Sequence, residues 1–220
     1  MIKYEAFNEE VFKLIPKNGK SLLDIGCGSG GLLKNVKEKY TYERLVGITH
    51  SEEESYEVKK MGAEALVADI NSFNFLSLNE KFDVIVLSHV LEHLVNPWDV
   101  LERVSKILNK DGCLIIALPN VLFYKQRMQF IKGRFQYSLE GGLMDITHLR
   151  FFDYSGAKSI LSRINGLTKD EFYTTGNFPL GIFRSLMPGI AKVIDNFMVG
   201  YLPGLFGFQF ILKAKKESND

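Results

Sequence analysis

The sequence predicts an α/β fold built on a mainly parallel, doubly wound sheet. Three observations carry this. Short apolar runs alternate with longer amphipathic stretches through residue 119. Those runs are apolar on both faces, as strands covered by helices on two sides must be. The first run ends in "LLDIGCGSGGLL" at 22–33, where four glycines fall within six positions. A helix interior would not take them, since each costs about 1 kcal/mol there.

In chain order, "EEVFKLI" predicts a helix within 1–18, ahead of the first strand. Strands are expected at "SLLDI" (21–25), "RLVGI" (44–48), "EALVA" (64–68), "FDVIVLS" (82–88) and "CLIIALP" (113–119). Helices are expected over 31–39, 51–61 and 97–108; the last, "PWDVLERVSKIL", has proline early and apolar residues at helical spacing. After 119 the rhythm changes. Residues 120–150 hold a basic aromatic helix, "VLFYKQRMQFIKGRF", and a loop, "SLEGGLMDITHLRFF". A helix at 154–163 and a strand near 168–175 follow. Residues 177–205 are apolar and broken by Pro179, Pro188 and Pro203, and "FGFQFILKAKK" alternates as an edge or antiparallel strand does. The expected organisation is a single domain, 1–220, with 120–150 and 177–205 as inserts covering a substrate, because loops carry specificity.

The composition narrows the function. The 220 residues are 46% hydrophobic and 24% charged, which is globular, and the net charge of +1 recruits neither nucleic acid nor an anionic surface globally. Two cysteines, Cys27 and Cys113, make no disulfide framework, so a reducing, cytoplasmic location is expected. "MIKYEAFNEE" has no apolar core, so no signal peptide is expected, and no run reaches the length of a transmembrane helix.

Glycines between a strand and a helix let the backbone approach a ligand, and the helix start offers free N–H donors. Gly26, Gly28 and Gly31 satisfy G-x-G-x-x-G, so a dinucleotide site must be weighed. Such a site wants an acid ending the second strand. Here that strand ends in Thr49 and His50, which disfavours a nicotinamide-dependent oxidoreductase. Asp24 instead precedes the glycines as D-x-G-x-G-x-G.

With these residues in view, the chain resembles the class I S-adenosylmethionine-dependent methyltransferases, whose fold is Rossmann-like and seven-stranded, and its closing alternating stretch is similar to the reversed last strand of that fold. "LLDIGCGSG" looks like their first motif, "ADI" (68–70) like the acid after the third strand, and "FDVIVLSHVLEHLVNP" like the fourth-strand motif. "LNKDGCLIIALPN" is similar to their turn into the fifth strand, and "GLMDITHLRFF" to a branch found beside sugar and polysaccharide biosynthesis enzymes. The resemblance implies S-adenosyl-L-methionine as cofactor and a small-molecule or sugar acceptor. It implies that Asp24, Gly26, Cys27, Gly28 and Gly30 hold the methionine end, and that Asp69 and Ile70 flank the adenine. Ser88 and His89 would meet the cofactor's amino group or the substrate, and Tyr4 would close over the site. The family places an acid after the second strand for the ribose; Thr49 or His50 would have to substitute.

Transfer to a hydroxyl needs a general base, and His93 and His148 are the candidates because imidazole titrates near neutral pH. Each has a plainer reading: His93 as a structural histidine, and His148 as part of a loop pinned through Asp145 and Arg150. No metal is expected. Should one bind, "HVLEH" places His89, Glu92 and His93 on one helical turn, to which His148 would add a fourth ligand. Lys125, Arg127, Lys132 and Arg134 fit a phosphate or a solvated face, and a nucleic-acid partner is not expected. Phe178, Phe183, Phe197 and Tyr201 would wall an acceptor pocket, rest on a membrane, or cap the sheet. Cys27 reads as packing. The alternative to an enzyme is a non-catalytic module that holds S-adenosylmethionine or S-adenosylhomocysteine.

Overall fold

The computed structural model describes residues 7–216. Strands β1 (Asn18–Ile25), β2 (Thr41–Thr49), β3 (Glu64–Val67), β4 (Phe82–Ser88), β5 (Leu108–Pro119), β6 (Leu167–Gly176) and β7 (Gly207–Lys216) form one sheet. Its order is β3-β2-β1-β4-β5-β7-β6. The strands from β1 to β5 pair in parallel, whereas β7 runs antiparallel to both β5 and β6. The reversed last strand is therefore internal, and β6 takes the edge.

Side chains on a strand alternate between faces, and the core divides accordingly. Leu23 and Ile25 of β1 join Ile85, Leu87, Leu101 and Val104 on one face. Leu22 joins Leu33, Val36, Val58 and Val84 on the other. Helices α1 (Glu9–Leu14), α2 (Gly31–Lys39) and α3 (Glu52–Lys60) cover the second face; α4 (Pro97–Lys106) covers the first. Each start carries its local signal. The Asn8, Ser51 and Asn96 side chains cap α1, α3 and α4, and Pro97 opens α4.

Boundaries differ where turns compete with periodicity. Helix α4 stops at Lys106, because β5 begins at Leu108, opposite Phe82. The basic stretch is helical only over α5 (Tyr124–Ile131), and the next helix only over α6 (Tyr154–Lys158). Residues 177–205 form α7 (Phe183–Leu186), α8 (Pro188–Tyr201) and α9 (Pro203–Phe206), the last two opened by prolines. Among the described residues no helix is long and apolar enough to cross a membrane.

Candidate active site

Neighbouring β1 and β4 are the strands between which the order reverses, and ligands bind outside their carboxyl ends in such sheets. Asp24 stands there, 3% exposed, on the face covered by α2. Burial pushes its carboxyl up to about 7, and no donor among the described residues is paired with it. After it the chain turns through Gly26, Gly28 and Gly30 at φ of 76°, 52° and 83°. L-residues avoid that region. A Cβ on Gly26 would also lie 2.5 Å from Val90 Cγ2. The turn is fixed to β2 by Gly26 N and Cys27 N, which donate to the Ile48 carbonyl at 2.8 and 3.0 Å. Cys27 is buried, and burial first, then the Asp24 and Glu54 charges, push its thiol far up, so it packs rather than reacts.

Thr49 is 1% exposed, and its hydroxyl donates to the Glu54 carboxylate. His50 beside it is exposed. An acid thus does stand at the end of β2, supplied by the first turn of α3. "SEEE" was its signal, but spacing does not say which of three acids turns inward. The exposed Asp69 carboxylate accepts from Asn71 N and Nδ2, both at 3.0 Å, and these bonds hold its pKa low. Ile70 packs against the core. Ser88 ends β4, aligned with Ala117. Tyr4 lies outside the described residues.

His89 does not share a helical turn with Glu92 and His93, contrary to the expectation from "HVLEH". It adopts φ 55°, a rare conformation for a non-glycine residue, and only Leu91–His93 form a short 3₁₀ turn. Its Nε2 donates to Gln209 Oε1 at 2.9 Å, and Nδ1 lies 3.3 Å from Glu92 Oε1. Burial opposes the charge on this ring, but the bonds and charge of Glu92 and Gln209 outweigh it and raise its pKa. Gln209 also accepts from Asn8 Nδ2 at 2.7 Å, joining α1, β4 and β7. No pattern in the sequence announced Gln209, which lies 120 residues from His89.

Glu92 is 1% exposed, and its Oε2 has no hydrogen-bond partner among the described residues. The 143–150 loop folds over it: Leu149 N and Arg150 N donate to the Glu92 carbonyl at 2.8 and 2.9 Å. Asp145 accepts from Thr147 N and Oγ1, and Arg150 reaches the Val95 carbonyl, so both residues do pin the loop. His148 Nδ1 lies 3.2 Å from the Leu143 carbonyl. A carbonyl only accepts, so the proton sits on Nδ1 and Nε2 is an acceptor, with no hydrogen-bond partner among the described residues. Burial lowers the His148 pKa, further aided by His93 and opposed by Glu92, which leaves the ring neutral. His93 Nδ1 is held 3.0 Å from Thr147 Oγ1, and the two imidazole rings meet edge to face at 4.7 Å. Glu92, His93 and His148 each bring a ligand atom within 4.8 Å of the others. A cleft of about 550 Å³ is lined by Phe123, Lys125, Gln126, Leu143, Asn177 and Phe208, and Leu143, whose carbonyl meets His148 Nδ1, links it to this cluster.

A glycine turn after a buried acid at the switch point, with two histidines paired beyond the end of β4, marks a doubly wound α/β protein with a candidate ligand site at the carboxyl ends of its strands. Residues 3–167 match the family model described as "Methyltransferase domain", and the chain belongs to that family. It is 33% identical over 107 residues to (S)-coclaurine N-methyltransferase of Thalictrum flavum subsp. glaucum, covering 46% of this chain and 29% of that protein. It is 31% identical over 111 residues to the ubiquinone biosynthesis O-methyltransferase of Glaesserella parasuis serovar 5 (strain SH0165), covering 46% of each. The chain thus spans less than half the length of these curated relatives. An S-adenosylmethionine-dependent methyltransferase structure from Mesorhizobium loti superposes with a TM-score of 0.64 at 14% identity, covering 94% of this chain and 96% of that one.

Proposed function

We propose that the protein transfers a methyl group from S-adenosylmethionine to a hydroxyl of a small-molecule or sugar acceptor. The observation that carries this is Asp24, a buried carboxyl without a partner among the described residues, at the head of a left-handed glycine turn. That arrangement fits a cationic amino group brought against open backbone. Gly26 to Gly30 cradle the methionine end, Thr49 with Glu54 serves the ribose hydroxyls in place of the family's second-strand acid, and Asp69 and Ile70 border the adenine. When bound, the cofactor supplies an electrophilic methyl group, so the chain's own work is alignment and proton removal. His148, neutral and unprotonated at Nε2, takes the acceptor proton; Glu92 stabilises the imidazolium that forms. The neighbouring cleft holds the acceptor.

The test is methyl transfer to a panel of hydroxylated acceptors by wild type and His148→Ala. A base contributes about 10²–10⁴-fold, so kcat falls by that order while cofactor binding persists. Unchanged turnover in the variant would remove His148 from the role. Absence of turnover on every acceptor, with binding intact, would support the cofactor-holding module instead.

A second reading rests on Glu92 Oε2 and the three converging ligand atoms: a divalent ion held by Glu92, His93 and His148. Two imidazoles and a carboxylate suit a transition metal. Such an ion would act as a Lewis acid toward an acceptor oxygen. His89 would then be no ligand, but a hydrogen-bonding neighbour of Glu92. Calorimetric titration with Mn²⁺ or Zn²⁺, repeated on Glu92→Gln, decides; no heat from wild type ends this reading.

A further inference from the structure

Helix α8 is inverted. A surface helix ordinarily hides an apolar stripe and shows a polar one. Here the inward positions are Ala191, Asp195 and Val199, spaced by four. The outward stripe is Ile190, Val193, Phe197 and Tyr201, exposed at 46%, 68%, 70% and 73%. Ile182 and Leu186 continue it at 79% and 72%. The Phe197 and Tyr201 rings are parallel within 5°. Isolated exposed apolar side chains are ordinary, but a continuous stripe marks a contact surface.

The charge around it has one sign. Within 181–202 the sole acid, Asp195, is turned inward, bonded to Arg184 Nη2 at 2.9 Å and to Phe178 N at 2.8 Å. Lys192 is exposed and forms no ion pair among the described residues. Neighbouring α5 adds to this, since 121–139 contains no acid. Lys125, Lys132 and Arg134 are exposed there beside Met128 and Ile131. Arg127 is not part of that face; its Nη2 donates to the Gly204 carbonyl at 3.0 Å and ties α5 to α9.

We propose that α7, α8 and α5 dock on the surface of an anionic lipid bilayer. Helix α8 lies in the interfacial plane, its aromatic pair at headgroup level, with Lys192, Lys125, Lys132 and Arg134 meeting anionic headgroups. A twofold copy of the chain is the poorer occupant, because it would bring two Lys192 side chains into one apolar contact with no acid to pair them.

The experiment is flotation of the full chain with phosphatidylglycerol–phosphatidylcholine vesicles, against pure phosphatidylcholine, at low and high salt. The variants are Lys192→Glu and the triple Val193→Ser, Phe197→Ser, Tyr201→Ser. Wild type is expected to float with anionic vesicles only, the triple variant to lose about tenfold or more in partitioning, and Lys192→Glu or high salt to lose several-fold. All substituted side chains are exposed, and unchanged thermal melting establishes that the fold is kept. Three results would overturn the proposal: no flotation of wild type, flotation indifferent to the triple variant, or a wild-type dimer in light scattering that the triple variant dissociates. Vesicle binding needs no cofactor, so its failure and failure of the methyl-transfer reading are separate outcomes.

Discussion

Asp24 is kept protonated more readily in the folded chain than in the unfolded one, because burial disfavours its charge. A folded pKa raised to about 7 means that the apo protein is most stable, as far as this group acts, below pH 4. That contribution is lost as pH rises toward 7. Asp24→Asn therefore stabilises the apo protein at pH 8, by up to about 4 kcal/mol, and flattens the dependence between pH 4 and 7. Melting curves across that range check it. His148 carries the opposite consequence for rate. Its pKa is lowered by burial, so the basic form persists below the ordinary histidine range. Methyl transfer then holds level above neutrality and falls only on acidification past that range, while His148→Ala abolishes this limb of the profile. The places of both residues were legible in the sequence: Asp24 ahead of its glycines, His148 in its loop motif. Glu54 and Gln209 were not, since their roles depend on how α3 and β7 pack against β2 and β4.

At the scale of elements, the site is assembled from chain turns that hold one another through backbone bonds. Asn120, fully buried after β5, donates from Nδ2 to the carbonyls of Gly207 and Gly204 at 2.7 and 3.1 Å, and accepts from Leu122 N at 3.0 Å. It joins β5 to α9 and β7 and fixes the turn through Leu122 and Phe123 that leads into α5, and Phe123 lines the cleft. Asn120→Ala strands buried groups at about 1–3 kcal/mol each. Denaturant titration should report a loss of about 2–4 kcal/mol, and acceptor affinity should fall more than cofactor affinity. The strands and main helices follow from periodicity because they are covered on both faces. The inserts do not. Helix α5 buries no residue, and the outward stripe of α8 has the spacing of a core face, so a pattern that equates apolar with inside misreads it. "HVLEH" misled for another reason: the left-handed His89 breaks the turn before the helix begins.

For the whole molecule, the sheet order decides where chemistry can occur. Placing β4 beside β1 opens a crevice at the carboxyl ends of the strands, and the glycine turn, the His89–Gln209 bond and the Glu92–His93–His148 cluster gather there. The alternation of apolar runs made that crevice foreseeable, and "HVLEH" with His148 anticipated that the later loop reaches Glu92; the backbone bonds of Leu149 N and Arg150 N to the Glu92 carbonyl carry no signal in the sequence. Methyl transfer as proposed requires that this crevice hold S-adenosylmethionine. The measurement is calorimetric titration of S-adenosylmethionine and S-adenosylhomocysteine into wild type and Asp24→Asn. Wild type is expected to bind both ligands one to one, and the variant to lose about tenfold or more, equivalent to about 1.4 kcal/mol or more. No binding of either ligand by wild type, or equal binding by the variant, would contradict the proposed function.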